Sequence, residues 1–227
     1  MIINRRRFIK STGAILASEL VTSRASALVG LHPAKPEDVQ LANNIIGRLP
    51  SGNYVAIMRA LADLDKKEPW SSPHPPKSKR EPFNRRWDYY ANPLLVRIWH
   101  EMGYPYMNDC EPFCGVTLGW TLKRSGIVPP GNCASSQSYL NWGVPVGVPK
   151  PGDIAVYTHA RDRSKGHVGI YMATNPDGTY QVLGANQLMS EITTCGPGFT
   201  ANIIDERPMP SSKRPELHFN AFVRAKT

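Results

Sequence analysis

The sequence predicts an α+β fold, and three observations carry that prediction. Up to about residue 105 apolar residues recur at helical spacing, and beyond residue 150 they fall into short period-two runs. Between the two, residues 111–126 form one amphipathic helix that opens on a cysteine. Helices followed by short strands imply helices on one side of a small antiparallel sheet, with the cysteine helix packed on it and extra helices ahead of it. A length of 227 residues suits one packed domain with additional segments, and 21 prolines imply long connections wrapped around it. No apolar run is long enough to span a bilayer, so no stable membrane insertion is expected.

Residues 1–27 read as a twin-arginine-type export signal. Asn4-Arg5-Arg6-Arg7-Phe8-Ile9-Lys10 is followed by the modestly apolar Ser11 to Val21 and the small-residue site Ala25-Ser26-Ala27. Removal near Ala27 and work in the periplasm or outside the cell are the expectations. That segment holds five of the 27 basic and one of the 18 acidic residues, which leaves 22 and 17, a net of +5. Such an excess suits an anionic envelope. Lys77-Ser78-Lys79-Arg80 and Arg85-Arg86 are clustered, but they lie in a Pro-rich stretch with no reading helix nearby, so a solvated loop is expected and nucleic acid is not.

Residues 28–90 predict a helical hairpin, Pro36 to Leu49 and Asn53 to Leu64, broken at Pro50-Ser51-Gly52 and followed by a Pro-rich basic connection. Residues 91–227 form the main domain. Asn92 caps a third helix, Pro93 to Met102, whose inner side is Leu94, Leu95, Ile98 and Trp99, with His100 as a packing residue. In the next helix Pro112 suits the first position, Asp109 or Glu111 the cap, and Gly126 the stop. Phe113, Val116, Leu118, Trp120 and Leu122 give it an apolar face. Cys114 then sits on the first turn, where unpaired N–H groups and the positive end of the helix dipole favour thiolate and lower its pKa. We read it as a nucleophile.

Strands are expected at Asp153 to Thr158, Val168 to Thr174, Tyr180 to Gly184 and His218 to Arg224, with a hairpin turn at Asn175-Pro176-Asp177-Gly178. A thiol nucleophile needs an imidazole to take its proton and a third group to hold that ring. His167, at the start of a strand, is preferred over His159, which precedes the Ala160 to Lys165 loop. A two-residue turn makes paired numbers sum to 353 and sets Asn186 opposite His167, so that Asn186 accepts from Nδ1–H. A type I turn with a glycine bulge sums to 354 and sets Gln187 there instead. Both remain open on the residues alone. Of four cysteines, Cys110, Cys114, Cys133 and Cys195, the first two have Cys-x-x-x-Cys spacing, but no second ligand pair follows, so no metal and no cofactor are expected. In an oxidising compartment two of the other three pair, and spacing does not say which.

Five blocks occur in order: Phe113-Cys114-Gly115-Val116-Thr117-Leu118-Gly119-Trp120 continuing to Gly126, Ser138-Tyr139-Leu140-Asn141-Trp142-Gly143, Pro149-Lys150-Pro151-Gly152-Asp153-Ile154, Gly166-His167-Val168-Gly169-Ile170-Tyr171, and Val182-Leu183-Gly184-Ala185-Asn186-Gln187. Together, over about residues 90–190, they resemble the NlpC-type and CHAP-type papain-like cysteine peptidases of bacterial cell walls. Phe113 stands where the closest relatives usually carry Trp, Cys110 is an extra thiol, and residues 28–90 have no counterpart in that pattern.

The resemblance implies a papain-like core and a catalytic set of Cys114, His167 and a polar third residue, for which it favours Asn186. It implies hydrolysis of amide bonds in peptidoglycan or its stem peptides, as an endopeptidase or amidase. Two other readings fit the same residues. One is a cell-wall-binding module without catalysis, with Tyr139 and Trp142 as a binding pair, for which the plainer account is core packing. The other is a cysteine amidase or transamidase acting on a different target.

Overall fold

The computed structural model describes residues 32–67, 71–72, 81–87, 90–192, 200–210 and 216–226. The export-type segment 1–27, Lys77 to Arg80 and Cys195 lie outside the described residues.

Helix α1, Pro36–Arg48, has proline in its first turn, Glu37 and Asp38 at its positive end and Arg48 at its negative end. Helix α2, Tyr54–Ala62, is capped by Asn53, whose side chain accepts from the N–H groups of Val55 and Ala56 at 2.9 and 3.2 Å. A short helix α3, Leu64–Lys67, and a two-residue strand pair, β1 (Ser71–Ser72) with β2 (Glu81–Pro82), lead to α4, Pro93–Glu101. Asn92 caps α4 as its sequence predicts, accepting from Leu94 N–H at 2.9 Å.

The cysteine helix α5 is Cys114–Arg124, which corrects the expected start. Phe113, not Pro112, is the residue before the first helical one, and no side chain caps it, so Cys114 itself is the first helical residue. Gly126 does end the helix, at φ 78°, with Ile127 N–H returned to Leu122 O at 3.0 Å.

Six strands form one antiparallel sheet in the order β3-β8-β4-β5-β6-β7. They are β3 (Val144–Val146), β4 (Ile154–His159), β5 (Gly166–Thr174), β6 (Tyr180–Ile192), β7 (Thr200–Met209) and β8 (Leu217–Arg224). One sheet face, with Ile154, Val156, Val168, Ile170, Leu183, Ala185, Ile204 and Val223, shares a continuous buried core with α1, α2, α4 and α5. The opposite face carries Ala155, Tyr157, Tyr171, Val182 and Phe222, with aromatic rings packed edge to face. Residues 36–62 are thus built into the same core as Cys114. α1 packs on α4, and α2 packs on α5, β6 and β7, where an Arg59–Glu206 ion pair and a 2.5 Å hydrogen bond from the Tyr54 hydroxyl to Gly152 O tie it down. At the other end Arg224 grips the buried Asp153 with two hydrogen bonds of 2.7 Å and joins β8 to the start of β4.

Arg86 overturns the expectation of a solvated basic loop. It is 3% exposed, because its guanidinium is consumed by backbone carbonyls rather than by water.

Candidate active site

α5 lies across β5 and β6 with its first turn at the start of β5. Two glycines allow this approach. A Cβ on Gly115 would stand 2.4 Å from Cys133 O, so the turn beneath Cys114 rests directly on the 133–134 backbone. A Cβ on Gly166 would stand 1.9 Å from Tyr157 O and 2.3 Å from Gln137 Nε2. Gln137 crosses that position to clip β4, donating to Tyr157 O at 2.8 Å and accepting from the Thr158 hydroxyl at 2.8 Å. His167 follows immediately, opposite Tyr157, with the two rings 6.4 Å apart. The Tyr139 hydroxyl donates to Gly115 O at 2.8 Å from a wholly buried position, so Tyr139 is core packing, as its plainer reading had it.

The backbone N–H groups of Val168, Gly115 and Cys114 itself face the Cys114 sulfur. This brings the thiol to the residue after His167. His159 lies at the far end of β4, where its Nδ1 accepts from Arg161 N–H at 3.3 Å.

Burial decides the protonation states. Cys114 is 3% exposed, and desolvation pushes its thiol above the ordinary cysteine value despite the three N–H groups. The expected depression by the helix N-terminus is therefore outweighed. His167 is 8% exposed and lowered to about 4, by burial first and by the positive charge of Arg207 second. At neutral pH Cys114 is therefore a thiol and His167 a neutral imidazole.

The register toward β6 contains both turn alternatives. At the turn Gly178 has φ 80°, Asn175 N–H bonds Thr179 O at 2.8 Å, and Thr174 pairs with Tyr180, which is the glycine-bulge register. A second irregularity between Tyr171 and Ala173 restores the other one, so that Tyr171 pairs with Val182 and Ile170 with Leu183. The pairing of β5 with β6 ends there, short of His167 and Asn186.

Beyond Gly184 the pairing of β6 with β7 shifts by one residue, and Asn186 sits in that shift at φ 59°, the non-glycine residue with positive φ among those described. Gln187 is wholly enclosed, with Nε2 donating to Val182 O at 3.0 Å and Asp205 O at 3.1 Å, so its amide nitrogen pins the bulge. The ring nitrogen of His167 on the β6 side is Nε2, not the expected Nδ1. It is buried without a protein partner, 3.5 Å from where a Cβ on Gly184 would be.

Asp205 pairs with Gly184 and Arg207 with Val182 across β6, and Arg207 Nε donates to both Asp205 oxygens at 3.0 and 3.1 Å. Sequence reasoning missed this ion pair, because β7 has no apolar alternation to announce it as a strand. Cys110 is disulfide-bonded, while Cys114 and Cys133 are free buried thiols, which removes Cys133 from the pairing that spacing left open. Among the described residues no group of three or more His, Cys, Asp or Glu side chains is gathered for a metal ion, and no helix is long and apolar enough to cross a membrane.

No curated protein and no solved structure matches the chain. The CHAP domain model matches residues 99–186, a span that begins inside α4, contains Cys114 and His167 and ends on Asn186. CHAP domains are typically cysteine amidases or peptidases, which supports a hydrolase directed at peptidoglycan. By that match, and by a cysteine-led helix laid across an antiparallel sheet, residues 99–186 are similar to CHAP domains, which belong to the papain-like cysteine peptidase and amidase superfamily.

Proposed function

We propose that the protein is an exported cysteine hydrolase that cleaves amide bonds of peptidoglycan through Cys114, His167 and Asn186. The observation that carries the reading is the place of the Cys114 sulfur, which faces the Val168 N–H, one residue along the chain from a buried neutral imidazole. A neutral imidazole can act as the base. It takes the thiol proton as sulfur attacks the amide carbonyl, and it returns that proton to the amine as the carbon–nitrogen bond breaks. Water then attacks the thioester, giving its proton to the same imidazole, and the sulfur leaves. The N–H of Cys114, at a helix start, supplies half of an oxyanion hole. We assign Asn186 to hold the ring, from its place two residues after Gly184, the position that His167 Nε2 faces. Export rests on the residue pattern of 1–27, and cleavage within the stem peptide or between sugar and stem is equally compatible with the site.

The test is mass analysis of muropeptides released from purified peptidoglycan by the mature protein and by Cys114→Ala. New amide cleavage products that disappear in the variant support the reading, and release by the variant at the wild-type rate overturns it. Export is checked separately by fusing residues 1–27 to a folded reporter. Delivery that persists after Arg5-Arg6-Arg7 is replaced by lysines excludes the twin-arginine route.

A further inference from the structure

The loop before the nucleophile is held in an unusual way. Three successive carbonyls are bound by one side chain: Arg86 Nε donates to Asp109 O at 2.5 Å, and Nη2 donates to Cys110 O at 2.8 Å and Glu111 O at 3.4 Å. The guanidinium also lies 5.9 Å from the centre of the Phe113 ring. Below it the Asp109 carboxylate accepts from Trp87 N–H at 3.2 Å and Asn92 N–H at 2.9 Å, and Asn92 Nδ2 donates to Phe83 O and Arg85 O at 2.8 and 2.6 Å. Residues 83–87 and 92 are thereby locked to 109–113, although they lie outside the span that matches the CHAP domain.

We propose that Arg86 is a positioning residue for catalysis, which sets the peptide planes leading into Cys114 and so fixes where the sulfur and the Cys114 N–H stand. The inference rests on Cys114 being the nucleophile. Three considerations carry it. No side chain caps α5, so nothing on Phe113 itself fixes where the helix begins. The carbonyls that precede the helix all end on one rigid planar fork, which holds their relative orientation as a point donor cannot. A buried cation is also a costly way to fill a loop, since well-packed apolar side chains of the same volume stabilise as much or more. A geometric demand at the helix start accounts for that cost.

The test compares Arg86→Lys with Ile45→Ala, a core truncation on α1 remote from the site. Lysine keeps the charge and loses the fork. At a temperature where both variants are folded, Arg86→Lys is expected to lower kcat on peptidoglycan by about tenfold or more with KM within about twofold, because misplacement of the reacting atoms by an ångström is enough. Ile45→Ala should leave kcat unchanged. Alkylation of Cys114 by iodoacetamide at alkaline pH should slow in Arg86→Lys alone.

Wild-type kcat and alkylation in folded Arg86→Lys overturn the proposal, and so does an equal fall of kcat in Ile45→Ala. If Arg86→Lys does not fold, Arg86→Gln, which keeps a neutral donor and loses the fork, takes its place, and unchanged kcat and alkylation there also count against the proposal. The alkylation arm uses no substrate. A failure of the peptidoglycan reading would therefore appear in Cys114→Ala and not in this comparison.

Discussion

Acidification from pH 7 to 4 should destabilise the protein through His167, by an amount that can be worked out. The folded ring titrates at about 4, while the unfolded ring keeps its ordinary 6.5. Between those values the unfolded chain binds a proton that the native state refuses, so stability falls as pH falls through this window. A difference of about 2.5, at about 1.4 kcal/mol per pH unit, gives about 3 kcal/mol. Its main cause is the enclosure of the ring between β4 and β6, with Arg207 adding to it.

The assay is urea unfolding of wild type and His167→Gln at pH 7 and pH 4. Other titrating groups act in both proteins, so the wild type should lose about 3 kcal/mol more than the variant over that range. The acid limb of kcat/KM should correspondingly lie near pH 4, since a base must be unprotonated to work. Parallel losses in the two proteins, with an acid limb near 6.5, would show a solvated imidazole and refute the argument from burial.

Asp109 should behave in the opposite sense. Burial raises it to about 6 from 3.8, against the N–H groups of Asn92 and Trp87 and the charge of Arg86, so its contribution is full below 3.8 and lost as pH rises through 6. Relative to Asp109→Asn, the wild type should gain about 3 kcal/mol on going from pH 7 to below 4, read as urea midpoints. Gly115→Ala would force a Cβ onto the backbone of residues 133 and 134, and a loss of about 2 kcal/mol or more is expected in thermal unfolding, together with most of the activity. Asn186→Gly accepts the positive φ without strain, so unfolding should shift by no more than about 1 kcal/mol while kcat falls. Gln187→Ala removes two hydrogen bonds to backbone carbonyls and should cost about 2 kcal/mol of stability. An Asn186→Gly enzyme with undiminished kcat would remove Asn186 from the site.

Most of the architecture was legible because it depends on local patterns. α4 and its Asn92 cap, the apolar face of α5 and its Gly126 stop, and strands β4, β5 and β8 all follow from spacing and turn chemistry. β7 was not legible: Asp205-Glu206-Arg207-Pro208 shows no apolar alternation, and an edge strand tolerates proline because one side of its backbone has no ladder to fill. β3, only Val144-Pro145-Val146, escapes for the same reason at the opposite edge. The register of β5 on β6 passes through two irregularities that cancel by Ile170, and only the one at the turn carries a sequence signal. Arg86 reads as solvent-exposed from its neighbours in the chain, because the carbonyls that bury it are 23 to 25 residues away.

The protonation states constrain how such a site works. With the thiol raised by burial and the imidazole lowered to about 4, the proposed Cys114–His167 pair is uncharged at rest, so on that mechanism charge separation accompanies attack on the carbonyl. The imidazolium then forms in a position where Arg207 opposes it. Asp205, held by that guanidinium through Nε and Nη2, offsets part of its charge on the same side of β6. The pair sits where Gly184 contributes no side chain to separate β7 from the ring. Removing Asp205 should therefore push the acid limb lower and slow attack, whereas removing Arg207 should raise the limb toward the ordinary histidine value. On the proposed mechanism burial sets the basicity of His167, and a β7 ion pair beyond the end of the CHAP match adjusts it from two strands away.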